Sequence, residues 1–149
     1  MIIFDHVGLY KHIIPLLEWS PYHSSLSNQE RYYETQIRPF LEKGLFGMWF
    51  DDINEAFAVF TYAYISQSVL NDMCNIENRA LQPDELNGGD ILFFNDFIAK
   101  KNGAVISRWL HRDAFPEKVG YMIRRNMGGS IKRVVRTKGK NVKSFEPSR

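Results

Sequence analysis

Apolar positions at Val7, Leu9, Ile13, Ile14 and Leu17 recur at helical spacing, so a short helix is predicted within Phe4 to Leu17, interrupted by Pro15. A capping-box pattern, Ser27-Asn28-Gln29-Glu30, opens a second helix whose apolar stripe is Tyr33, Ile37, Phe40 and Leu41. Pro39 is placed to bend its last turn and Gly44 to stop it. The period then shortens. Leu45 to Phe50 and Glu55 to Ile65 are rich in aromatic and β-branched residues and flank Asp51-Asp52-Ile53-Asn54, as two antiparallel strands joined by a turn would. Both faces of the second run are apolar, which places it inside a covered sheet.

Helical spacing returns in Gln67 to Arg79 through Val69, Leu70, Met73 and Ile76, and Pro83 with Asn87-Gly88-Gly89 marks a loop. A third strand, Asp90 to Ala99, ends before Asn102-Gly103. Val105, Ile106, Trp109 and Leu110 define another amphipathic helix, closed near Pro116. Val119 to Arg125 and Ile131 to Thr137 read as strands around the hairpin signal Asn126-Met127-Gly128-Gly129-Ser130. The predicted order is α-α-β-β-α-β-α-β-β. The economical fold is α+β, a mixed and mainly antiparallel sheet flanked by helices, a layout shared by acyltransferases of the Gcn5-related type.

Length and composition add limits. The 149 residues, 44% of them apolar and 14% aromatic, suit one domain with an ample core. No apolar run approaches the roughly 20 residues of a membrane-spanning helix. The N-terminus lacks a basic segment followed by a long apolar one, and the single cysteine, Cys74, has no internal partner; a cytoplasmic protein is the expectation. Cys74 lies on an apolar helical stripe, where core filling is the simpler role than nucleophilic catalysis. The charge is unevenly placed. Residues 118–149 hold 10 of the 19 Lys and Arg but only Glu146 of the 17 Asp and Glu. Such a basic end attracts acidic macromolecules, although 132–149 carries one aromatic residue, Phe145, and so lacks the stacking platforms of single-strand binders. After about Lys138 it reads as a solvated basic tail.

Two segments look unlike structural filler. Among the four histidines, His12 and His111 lie in amphipathic helices and His6 at a helix start, where packing or backbone bonding accounts for them. His23 lies in Trp19-Ser20-Pro21-Tyr22-His23-Ser24, read as an exposed loop between helices, where an imidazole is available for proton transfer. In Phe93-Phe94-Asn95-Asp96-Phe97-Ile98-Ala99, two polar residues interrupt an apolar strand. Asp96 therefore requires a partner or an open site. No His, Cys or carboxylate cluster has metal-ligand spacing, and no phosphate-binding glycine loop or Gly-x-Ser-x-Gly elbow occurs.

Together these segments resemble the RTX toxin-activating lysine acyltransferases, over roughly residues 5–137. The resemblance is carried by Asp5-His6-Val7, Ser20-Pro21-Tyr22-His23, Arg38-Pro39-Phe40-Leu41, Asp90 to Ala99, Phe115-Pro116-Glu117 and Ile123-Arg124. Asn95, where an aliphatic residue is more usual, and Lys100-Lys101, where a proline-containing stretch commonly follows, depart from the pattern. The resemblance implies a variant of the Gcn5-related fold, often dimeric, without a coenzyme A pyrophosphate loop and with no bound cofactor. It also implies transfer of a fatty acyl chain from acyl carrier protein to internal lysines of a protein such as an RTX protoxin. His23 and Asp96 map onto the catalytic pair.

On that reading His23 takes the lysine proton, while Asp96 either holds the imidazole tautomer or orients the incoming ammonium. Ser20 offers a lesser route through a transient acyl-serine, and its simpler role is a turn or N-cap hydroxyl. Oxyanion donors are expected among backbone N–H groups where the Asp90 to Ala99 strand splays from its neighbour. An acidic carrier would dock on Arg124 and Arg125, on Lys132 and Arg133, or on Lys100 and Lys101 with Arg108 and Arg112. Two other readings are an acetyl-coenzyme A-dependent enzyme, weakened by the missing phosphate loop, and a non-catalytic protein of the same fold. The latter would engage an acidic protein or nucleic acid through its basic end.

Overall fold

A computed structural model describes residues 6–143; Phe4 and Asp5, where the first predicted helix and the resemblance begin, and 144–149 at the basic end lie outside it. Helix α1 runs His6–Trp19, straight through Pro15. Pro15 faces solvent, so the hydrogen bond it removes falls on the wet side of the helix. The opposite face buries Leu9, Ile13, Leu16 and Leu17, each contributing about 1.5–3 kcal/mol by leaving water.

The second predicted helix is a composite. Asn28, not the Ser of the capping box, is the N-cap, its side chain accepting from Arg31 N at 3.0 Å. Helix α3 (Gln29–Tyr32) passes through a π-helical stretch, Tyr33–Ile37, into α4 (Arg38–Glu42). Gly44, at φ +71°, ends it: Leu45 N donates to Phe40 O at 2.9 Å, the bond of a Schellman stop.

Strands β1 (Phe46–Phe50), β2 (Ala56–Ile65), β3 (Ile91–Ala99), β4 (Val119–Arg125) and β5 (Ile131–Lys138) form one sheet in that order. All neighbours are antiparallel except β3 and β4, which run parallel because α6 (Gly103–Trp109) crosses between them. The expected mixed, mainly antiparallel sheet is present, with β2 inside it as its apolar faces required. Helix α5 (Gln67–Asn75) ends before the predicted Arg79. Among the described residues no helix is long and apolar enough to cross a membrane.

One face of the sheet carries α1, α3, α4 and α5, packed on Val59, Ala63, Phe93 and Ile98. The other carries Leu110 and Phe115 against Phe60, Tyr62, Leu92, Phe94 and Phe97. Two features of β3 position the site. First, β3 and β4 pair only over Leu92↔Gly120, Phe93↔Tyr121 and Phe94↔Met122, then part. Second, the β2–β3 register shifts: Tyr62 faces Phe94 and Thr61 faces Asp96, so Asn95 is an unopposed bulge. Strict alternation would put Asp96 on the face of Leu92 and Phe94. The extra residue reverses it, so Phe97 joins that aromatic face and Asp96 turns toward the face bearing α1 and α3.

The start of the expected tail is tied down. Gly139 N donates to Lys118 O, Lys140 N to His111 O and Asn141 N to Pro116 O, each at 2.8 Å.

Candidate active site

Ser20 and Pro21 create a local structure that spacing alone did not reveal. Ser20 holds extended backbone (φ −66°, ψ 125°) as an N-cap, and Pro21, at the first helical position, starts the single turn α2 (Pro21–Ser24). His23 is thus on a helical turn and only 6% exposed, which corrects the expectation of an exposed loop histidine. It is enclosed edge-to-face by Tyr22 and Tyr32, and Gln29 Nε2 ties the turn down by donating to His23 O at 3.0 Å and Leu26 O at 2.8 Å.

Both ring nitrogens are engaged. His23 Nε2 lies 2.7 Å from Asp96 Oδ1, and Ser20 Oγ lies 2.7 Å from His23 Nδ1. Asp96, 5% exposed, meets its need for partners fully: Tyr32 shares its O–H between Oδ2 at 2.8 Å and Oδ1 at 3.0 Å, and Asn95 Nδ2 donates to Oδ2 at 3.3 Å. Its backbone N–H donates to Thr61 Oγ1 at 3.1 Å. Burial and the neighbouring Asp96 charge hold the Tyr32 phenol well above its ordinary range, so it remains a donor.

A carboxylate is an acceptor only, so with Asp96 ionised the bond at Oδ1 places the proton on Nε2. The lone pair of neutral His23 is then on Nδ1, facing Ser20 Oγ. The array Tyr32–Asp96–His23–Ser20 can therefore take a proton at Nδ1 and stabilise the imidazolium through Asp96. Removing the Tyr32 hydroxyl takes a charge-assisted bond from Asp96; Tyr32→Phe is expected to cost about 1.5–3 kcal/mol of stability, measured by urea unfolding.

Ser20, His23 and Asp96 open into a cleft of about 980 Å³ that runs into the gap between β3 and β4, where Asn95, Phe97, Met122 and Ile123 line it. Of the basic residues singled out in the sequence, Arg124, Arg125 and Lys132 line this cleft, and Arg31 and Arg79 join them. Arg125 is committed to the scaffold, donating to Gly129 O at 2.9 Å and Arg79 O at 3.2 Å. Arg79 is committed likewise, in a two-point pair with Glu85 at 2.7 and 2.8 Å. Arg133 faces Arg124 across the β4–β5 ladder. Lys100, Lys101, Arg108 and Arg112 are exposed and do not line the cleft; Lys101 instead sits over the Phe57 ring at 4.9 Å.

Tyr32 and Thr61 escaped the sequence reading. Thr61 left a trace as the one hydroxyl-bearing β-branched residue within the apolar run of β2, whereas nothing around it marks Tyr32 out from the adjoining Tyr33. Cys74 is partly buried and its thiol is pushed up by burial, consistent with filling rather than reactivity.

The family model described as the RTX toxin acyltransferase family matches residues 5–138, a span containing every residue of the array. A comparison with curated proteins finds no match.

Proposed function

The chain belongs to the RTX toxin acyltransferase family, and from that premise we propose that it moves a fatty acyl group from the thioester of acyl carrier protein to an internal lysine of a protein acceptor such as an RTX protoxin. The observation that carries this reading is the buried Asp96–His23–Ser20 relay at the end of a cleft that continues between β3 and β4. Where those strands part, their facing edges leave the ladder, and an extended acyl-phosphopantetheine arm with its amides fits such a gap. Arg124, Lys132 and Arg31 on the cleft wall suit the acidic surface of a carrier protein, and the cluster around Lys100 and Arg108, away from the cleft, is not needed.

The chemistry calls for a base. A lysine side chain with a pKa of about 10.4 is neutral in only about one molecule in 2,500 at neutral pH. In direct transfer the lysine amine takes the place of the Ser20 hydroxyl at His23 Nδ1. The amine adds to the thioester carbon, the C–S bond breaks, and the proton received by Nδ1 passes to the departing thiolate. The 2.7 Å contact of Ser20 Oγ with Nδ1 favours a second reading, in which Ser20 first accepts the acyl group and then yields it to lysine.

Intact-protein and peptide mass spectrometry tests both. The chain is mixed with labelled acyl carrier protein, first alone and then with candidate acceptors. Acyl mass on an acceptor lysine supports transfer, and prior acyl mass on Ser20 supports the two-step route. Transfer from acyl-coenzyme A in preference to the carrier, or no transfer from either, overturns the proposal.

A further inference from the structure

We propose that in this chain Asn95, which departs from the aliphatic residue more usual at its place, is a catalytic residue, its side-chain amide donating a hydrogen bond to the oxyanion that forms on the thioester carbonyl; this rests on the acyl-transfer reading above. When the amine nitrogen adds to the thioester carbon, the carbonyl π pair moves onto oxygen. It returns as the C–S bond breaks, the sulfur leaving with the proton that His23 carried. The oxygen bears charge between those two events, and a fixed donor there lowers the barrier.

The Asp96 N–H is turned toward β2 and spent on Thr61 Oγ1. The neighbouring side chains are spent as well. The Tyr32 O–H goes to Asp96, Ser20 Oγ is on His23, and Gln29 Nε2 closes the α2 turn. Asn95 differs from these. As the unopposed residue of the bulge it is partly exposed, it sits one step past the last β3–β4 pair, and it lines the same cleft as Ser20 and His23.

Its bond to Asp96 Oδ2 does two things. Because a carboxylate only accepts, the nitrogen and not the oxygen of the amide faces Asp96, which fixes the amide's orientation. An NH₂ group has two hydrogens. One is given to Asp96, and the other remains for a ligand in the cleft. Anchoring on Asp96 also means the donor is held in place before the charge develops, so little reorganisation accompanies the reaction.

Asn95→Leu keeps the branched outline of the side chain, though it is bulkier, and removes both donors. With myristoyl-loaded acyl carrier protein and a pool of lysine-containing peptides, the expected result is a fall in kcat of about 10²- to 10³-fold with KM for the carrier within about threefold. The thermal midpoint should stay within a few degrees of the unaltered protein. Tyr22→Phe is run alongside, because Tyr22 also lines the cleft and carries a hydroxyl donor. Full turnover by a folded Asn95→Leu, or a comparable loss confined to Tyr22→Phe, overturns the assignment. Absence of transfer by the unaltered protein removes the acyl-transfer reading itself, and the assignment with it, and so is distinct from a failure of Asn95 alone.

Discussion

Replacing His23 by alanine is expected to lower acyl transfer by about 10³-fold or more while leaving the chain folded. His23 is the one group whose two nitrogens connect the buried carboxylate to the cleft, through 2.7 Å contacts to Asp96 and to Ser20. Without it neither route has a base, since Ser20 has no other proton acceptor within bonding distance among the described contacts. The loss corresponds to about 4 kcal/mol of transition-state stabilisation. Single-turnover transfer from labelled carrier protein reads it directly. Normal turnover by a folded His23→Ala would remove the array from the mechanism, whatever acceptor is used.

Asp96→Asn should produce a loss of about 10²- to 10³-fold for a different reason. The shape is kept, but the group is no longer an acceptor at every position. In the present array three donors converge on its two oxygens: His23 Nε2, the Tyr32 O–H and Asn95 Nδ2. An amide supplies one oxygen and an NH₂ that must face one or more of those donors. If the NH₂ faces His23, the imidazole proton moves to Nδ1 and the basic lone pair is withdrawn from Ser20. If it faces Tyr32 or Asn95, those donors lose their acceptor and the pairing charge on the imidazolium is gone in either case. The ¹⁵N shifts of His23 report the tautomer independently of activity. A variant that retained both the Nε2–H tautomer and full turnover would show that Asp96 only fills space.

Much of the architecture was legible because it is written in short-range patterns. The β1 to β5 segments, the hairpin at Asn126–Ser130 and the Gly44 stop each depend on a few adjacent residues, and their ends fall within a few residues of the expected positions. Helix α5 is shorter than its pattern, because the apolar rhythm through Ile76 continues past Asn75, where the chain turns extended at Ile76 (ψ 121°). The turn α2 was missed because four residues are too few to show a period, although Ser20-Pro21 is itself a start signal. Without that turn the pattern leaves His23 on an exposed loop, whereas the fold buries it.

Ser20, His23 and Asp96 stand out in the sequence as polar residues in surroundings that give them no local excuse, and the family resemblance falls on the same segments. What they do to one another was out of reach, because His23 and Asp96 are 73 positions apart and Tyr32 and Asp96 are 64 apart. The division of the basic residues was equally hidden: Arg124 and Lys132 reach the cleft from the last hairpin, while Lys100, Lys101, Arg108 and Arg112 do not.

The sequence by itself determined the order of the longer elements and the mixed sheet, and it marked Ser20, His23 and Asp96 as candidates, since periodicity and turn chemistry act over one to seven residues. The tertiary structure alone decided which face Asp96 occupies. A single bulge at Asn95 reverses the alternation of β3, and no pattern within β3 announces it, because the bulge is a relation between two strands. The same packing of α1 and α3 over the sheet buries His23 against Asp96 and Tyr32. It turns scattered polar residues into one hydrogen-bonded array, because groups removed from water and fully partnered keep a fixed geometry.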